Sequence, residues 1–210
     1  MIVKPTMLRA TIAFFGTLAF LVSAADAQEK TANVSLSSLK NAELMKCASD
    51  YKCGVSTATE ISEEFARRKV APYLIRSYRR ADDGQKAVIL EALYFGKASN
   101  QITEFMRKVA YSKPRNTPAE FPLWYALQYL ARRCEPEALD RLLAPANYSG
   151  AYPIGCMYWQ DSLRQFGKCG YRRAIPRLKK VAVGNYACLN INEAAQGSLA
   201  ALGVQRPDKK

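Results

Sequence analysis

Phe166–Ala182, FGKCGYRRAIPRLKKVA, reads as the end of one helix, a tight turn around Gly167 and Gly170, and then a second helix. The pattern recurs along the chain. With Phe166 as an anchor, the counterparts are Leu93, Leu130 and Leu202, at successive spacings of 37, 36 and 36 residues. A leucine stands three positions before each anchor: Leu90, Leu127, Leu163 and Leu199. Nine positions after the anchors come Ile102, Leu139 and Ile175, and twelve after come Phe105, Leu142 and Leu178. Offsets −3 and 0 share one helix face, and offsets +9 and +12 share one face of the next helix. The unit is therefore a helical hairpin whose two apolar stripes meet. A shorter copy starts at Phe65, with Ala71 and Leu74 at the second-helix positions. Self-similarity at a fixed period predicts an all-α fold, a right-handed α-solenoid of about four helical hairpins with terminal capping helices, stabilised by disulfides.

The other landmarks fit this frame. Thr57–Glu60, Asp82–Gln85 and Thr117–Glu120 carry helix-start patterns, the last with Pro118 at the first helical position. Glu135-Pro136 opens a return helix, Ala144–Gly155 is expected to be irregular, and a last helix should run from Asn190 to a stop at Gly203. At the other end, Lys4 and Arg9 precede an apolar run, Thr11–Ala25. Ala25-Asp26-Ala27 then offers the small residues that signal peptidase reads. Residues 1–27 are thus expected to be a signal peptide, with a retained anchor as the rival; the run falls short of the roughly 20 residues that a span needs. Residues 28–56 are expected to be a polar leader and an N-terminal capping helix, 57–203 the repeat domain, and 204–210 a basic tail. The expected product is exported, periplasmic or secreted, and not an integral membrane protein.

Six cysteines in an exported chain imply disulfides, and six permit about fifteen pairings. The repeat register narrows them. Cys134 and Cys169 sit in the turns of adjacent units, Cys156 and Cys188 both precede the first helix of adjacent units, and Cys47 lies near Cys53. The expected bridges are Cys47–Cys53, Cys134–Cys169 and Cys156–Cys188. Zinc is the alternative use of the cysteines. It is disfavoured because only Cys47 and Cys53 are even loosely clustered and the chain has no histidine.

Leu163, Phe166, Gly167, Ala174, Ile175, Pro176 and Leu178 resemble the HEAT-like repeat family, in particular its short bacterial members, and Leu127, Leu130, Glu137, Ala138, Leu139 and Leu142 match likewise. The resemblance covers about Thr57 to Gly203. The period is shorter than the usual HEAT length. A tetratricopeptide array would have a similar period, but Lys108 and Lys179 stand where it needs a small residue. Some HEAT-like proteins are bilin lyases or hydroxylases. The hydroxylases need histidine and carboxylate ligands, which a chain without histidine cannot supply. The resemblance implies a scaffold that binds other macromolecules.

Without histidine, Ser-His, Cys-His and His-metal mechanisms are excluded. Paired carboxylates remain: Glu63-Glu64, Asp82-Asp83, and Asp161 with Glu193. The first two fall in the N-terminal halves of helices, where the dipole favours acids. The expectation is a non-enzymatic protein with no cofactor and no metal. A net charge of +13 favours anionic company, whether acidic proteins or phospholipid and lipopolysaccharide surfaces. Nucleic acid is not expected, since no recognised nucleic-acid module is present. Offsets +14 and +11 place Arg76, Arg107, Arg141, Arg177 and Lys180 in a basic ladder on the second-helix side. A second basic cluster, Arg67-Arg68-Lys69, Arg132-Arg133 and Arg172-Arg173, falls at the turns, where a helix C-terminus favours cations. Tyr148, Tyr152, Tyr158 and Trp159 crowd one junction, as a protein- or glycan-binding patch or as packing. The expected function is an exported scaffold for protein–protein interaction. The alternative is a binder of anionic envelope surfaces through the basic ladder.

Overall fold

The structure, a computed structural model, describes residues 35–50, 58–112, 121–144, 153–186 and 188–205. The chain divides into Met1–Ala32 and Asn33–Lys210, and every described residue belongs to the second unit. The expected signal peptide and the helix-start patterns at Thr57 and Thr117–Glu120 lie outside the described residues, as do Cys53 and the tail beyond Gln205. Among the described residues the fold is all-helical: α1 Asn41–Asp50, α2 Ala58–Arg68, α3 Ala71–Tyr78, α4 Asp83–Phe95, α5 Asn100–Ala110, α6 Phe121–Ala131, α7 Pro136–Leu143, α8 Pro153–Lys168, α9 Ile175–Val183 and α10 Ile191–Ala201. None of the described helices is long and apolar enough to cross a membrane.

The repeated apolar residues form the core. Leu90, Leu127, Leu163 and Leu199 are buried, and so are Phe65, Leu93, Leu130, Phe166 and Leu202. Their burial follows from the contacts: α4 packs on α2 and α6, α8 packs on α6 and α10, and α1 packs on α2 and α4. The return helices α3, α5, α7 and α9 each pack on the helix that follows them, α4, α6, α8 and α10. Leu139, Leu142 and Leu178 are buried as the register requires. In α5 the inward stripe is Ile102, Met106 and Ala110, while Phe105 is only half-buried. Its ring instead meets Tyr78 edge-on at 5.1 Å. Met106 is one helical turn from Ile102 and takes the inward place expected of Phe105.

The turns repeat as well. Lys69, Cys134 and Gly170, each four residues past an anchor, adopt left-handed φ angles of 57°, 59° and 62°. The amides of Glu135 and Tyr171 reach back to the carbonyls of Leu130 and Phe166 at 3.3 and 2.8 Å, so the last helical carbonyls are capped. The α4–α5 connection differs. Gly96 is extended there, and Ser99 caps α5 by accepting from the Ile102 amide at 3.2 Å. The capping box at α4 forms as expected: Asp82 accepts from the Gln85 amide at 2.8 Å and Gln85 Oε1 from the Asp82 amide at 3.2 Å. One boundary is corrected. Helix α8 begins at Pro153, inside the stretch expected to be irregular, because proline suits the first helical turn.

Two bridges join successive hairpins. Cys134–Cys169 links the turn after α6 to the turn after α8, and Cys156–Cys188 links the start of α8 to the loop before α10. Their Cα separations of 5.2 and 5.3 Å lie in the ordinary range. The proposed third bridge involves Cys53, outside the described residues. Disulfides of this kind belong to oxidising compartments.

Candidate interaction surfaces

The basic ladder does not form a uniform cationic surface. Arg141, on α7, is 9% exposed; it donates to the Ala110 carbonyl at 3.2 Å, pairs with Glu137 at 3.1 Å and covers the Tyr111 ring. Arg107, on α5, bonds Glu104 at 2.5 Å and reaches across to Glu135, at the start of α7, at 3.0 Å. Glu135 also accepts from Tyr111 Oη at 2.7 Å. Burial first, and then this bond, raise the Tyr111 phenol well above its usual range. Arg177 is half-buried on α9. The first and last rungs, Arg76 and Lys180, are exposed and have no partner among the described residues.

The cations at the turns are largely used internally too. Arg68 donates to the carbonyls of Leu36 and Leu39 and to Asn41 Oδ1, tying α2 to the N-terminal cap. Arg132 lies 3.8 Å above the Tyr94 ring and Arg133 3.7 Å above the Tyr129 ring. Arg172 donates to the Leu202 carbonyl, and Arg173 pairs with Asp140, which also accepts from Tyr171 Oη.

The aromatic junction divides. Tyr148 and Tyr152 lie outside the described residues. Trp159 is buried edge-on to Tyr186 at 5.5 Å. Tyr158 faces the other way, its ring 3.9 Å from Trp124. Tyr94 and Tyr125 extend this cluster, their ring centroids 5.5 Å apart. Tyr158 thus packs between α8 and α6, and Trp159 against the segment that follows α9.

Of the candidate carboxylates, Asp161 pairs with Arg164 at 3.5 Å and Glu193 is exposed on α10; no bond joins the two among the described residues. Asp83 pairs with Lys86, and Glu64 with Arg67 and Arg68. Sequence reasoning missed the buried carboxylate, Glu91, which is 5% exposed. It accepts from Ser62 Oγ at 2.8 Å, Thr59 Oγ1 at 3.2 Å and Tyr125 Oη at 2.7 Å. Burial and Glu91 together push the Tyr125 phenol far up, and burial raises Tyr158 to about 12. Further along, Gln128 Nε2 donates to Ser162 Oγ at 2.6 Å, and Ser198 Oγ donates to the Leu163 carbonyl at 2.7 Å. A polar seam therefore runs from α2 through α4, α6 and α8 to α10. Two repeated offsets hinted at it: Glu91 and Gln128 each follow an inward leucine, and Ser162 and Ser198 each precede one.

Two concave surfaces stand out among the described residues. One, of about 340 Å³, lies between the α2–α3 turn and the α4–α5 connection. Its floor includes Phe65, Leu74, Leu93 and Ile102, and Lys69 and Lys97 stand at it exposed. The other, of about 910 Å³, follows one face of α3 and is lined by Tyr73, Arg76, Ser77, Arg79, Arg80, Ala81 and Gln85. Sequence reasoning singled out Arg76 there but not Arg79 or Arg80. Tyr73, Arg76 and Ser77 share one face of α3, and Arg79 and Arg80 stand in the turn that follows it. Comparisons of the chain with family models, with curated proteins and with solved structures gave no match.

Proposed function

We propose that the chain is an exported, non-enzymatic scaffold of HEAT-like helical hairpins stacked as a right-handed α-solenoid, and that it engages a protein partner. The solenoid reading is supported by leucines buried at matching repeat positions and by the succession of packed helices α2, α4, α6, α8 and α10. Each hairpin leaves an apolar face that only its neighbour covers, which is how stacked repeats are stabilised. The two bridges support export and hold the later hairpins together.

The observation that carries the protein-binding reading is the groove of about 340 Å³ between the first two hairpins. It combines an apolar floor with Lys69 and Lys97, neither partnered among the described residues. An extended segment with an apolar anchor and acidic flanks matches both features, since the anchor gains by leaving water and the flanks meet opposite charge. A photoreactive side chain at Ala98, which lines the groove, should capture one discrete protein in the native compartment. The same group at Lys179 should not, and Ala66→Glu should abolish the capture. Equal capture from both positions would remove the reading.

Adsorption to an anionic envelope surface through the basic ladder has less support. Arg107 and Arg141 spend their guanidinium groups on Glu135, Glu137 and Ala110, leaving Arg76 and Lys180 as the rungs without internal partners among the described residues.

A further inference from the structure

We infer that the concavity on α3 is a binding site for a ligand carrying phosphoryl groups, held by Arg76, Arg79 and Arg80 with help from the hydroxyls of Ser77 and Tyr73. The inference does not depend on the protein-binding groove. Three guanidinium groups line one concavity of about 910 Å³. None of the three has a hydrogen bond, an ion pair or a ring partner among the described residues, unlike Arg67, Arg68, Arg107, Arg132, Arg133, Arg141, Arg164, Arg172 and Arg173. Among the described residues, arginine elsewhere is engaged with other groups of the chain. The α3 trio is the departure.

The nearby carboxylates do not pair with it. Asp82 accepts from Ser49 Oγ at 2.5 Å and from the Gln85 amide at 2.8 Å, which also holds its carboxyl below the usual range. Asp83 pairs with Lys86 at 3.2 Å. Gln85 is engaged on both sides, accepting from the Asp82 amide and donating to the Met45 carbonyl. The remaining polar side chains on the wall are donors: three guanidinium forks and the Ser77 and Tyr73 hydroxyls. No carboxylate lines it.

A helix C-terminus attracts cations, and α3 ends at Tyr78. That effect accounts for one charge rather than three, and the carbonyls of Ser77 and Tyr78 already accept from the amides of Arg80 and Ala81 at 3.0 and 3.3 Å. Like charges gathered around one concavity repel, and an anion relieves the repulsion. Planar forks match phosphoryl oxygens two at a time, which an ammonium cannot do. The concavity is open and wider than a single phosphate, so a ligand with more than one phosphoryl group can engage the three forks together.

The full-length oxidised protein should be titrated calorimetrically with pyrophosphate, and separately by co-sedimentation with phosphatidylcholine vesicles with and without phosphatidic acid. Saturable binding is expected in at least one arm. It should weaken about tenfold for each of R76Q, R79Q and R80Q, and should persist in K168Q/K179Q/K180Q, which removes three charges elsewhere. Binding of pyrophosphate identifies a free phosphorylated ligand; binding only of the phosphatidic acid vesicles identifies a lipid headgroup. The triple Arg→Lys variant preserves the charge and lies on an exposed surface, so it tests the forks without threatening the fold. It should bind about tenfold or more weakly. Unchanged affinity in that variant, equal losses in the lysine control, or no binding in either arm would each overturn the site.

Discussion

Gly167 on α8 meets Ser198 on α10 so closely that a Cβ at position 167 would stand 2.6 Å from the Ser198 Cα. The two helices share the tightest approach among the described glycines whose neighbour is backbone, and the Ser198 hydroxyl donates to the Leu163 carbonyl at 2.7 Å in the same interface. Gly167→Ala should therefore destabilise the protein by about 1–3 kcal/mol, although alanine is the better helix former by about 1 kcal/mol. Because the clash is with the Cα itself, adding Ser198→Gly should restore only part of the loss. Urea denaturation of the three variants decides the point. A neutral Gly167→Ala would show that α8 and α10 slide apart at no cost.

Glu91 and its three donors form a buried unit, so their substitutions should not add. Tyr125→Phe removes one donor and should cost about 1 kcal/mol. Glu91→Ala leaves Ser62, Thr59 and Tyr125 facing a buried site without their acceptor, and should cost about 3 kcal/mol or more. In the double variant Tyr125→Phe should be nearly silent. Additive losses in a double-mutant cycle would mean that Tyr125 acts only through packing.

Why the sequence disclosed some of this and not the rest follows from particular residues. Leu90, Leu127, Leu163 and Leu199 recur because each hairpin presents the same face to its neighbour, and a repeated demand leaves a repeated letter. The cysteine register worked for the same reason: Cys134 and Cys169 occupy equivalent turns. Arg141 was legible as a repeated basic position but not as a buried one. Offset alone cannot show that the Ala110 carbonyl stands within reach. Glu91 shares with Gln128 the place just past an inward leucine, but its partners Ser62 and Tyr125 come from different offsets in the flanking helices, so their pairing carried no repeat signature. Arg79 and Arg80 stood in plain view, but their lack of carboxylate partners depends on Asp82 and Asp83 being occupied elsewhere.

Two arginines of the ladder should respond differently to the same change. Arg141 is 9% exposed and bonded to Ala110 and Glu137, so Arg141→Ala removes a buried charge network together with its packing on Tyr111. A loss of about 2–3 kcal/mol is expected. Arg107 is 43% exposed, and its pairs with Glu104 and Glu135 meet water. Arg107→Ala should cost far less than Arg141→Ala, and that cost should shrink in high salt. Thermal melts at two ionic strengths separate the cases, and equal, salt-sensitive losses would contradict the burial of Arg141.

Glu64 supplies a pH dependence. Its carboxylate accepts two bonds from Arg67, at 2.8 and 2.6 Å, and one from Arg68 at 2.7 Å. The Arg67 bond is the largest influence; partial burial opposes it, the Arg68 bond adds to it, and the carboxyl is held down at about 2. An unfolded glutamate titrates near about 4.3. The folded form is thus the stronger acid, and the stabilisation is complete above the unfolded value and drains away as pH falls from about 5 towards about 2. Arg67 is 62% exposed, so water screens the pair and its contribution is small. Denaturation midpoints of wild type and Glu64→Gln, followed from about pH 6 to about pH 2.5, should converge as the medium becomes acidic. A gap that stays constant across that window would show that Glu64 contributes through its shape and neutral hydrogen bonds rather than through its charge.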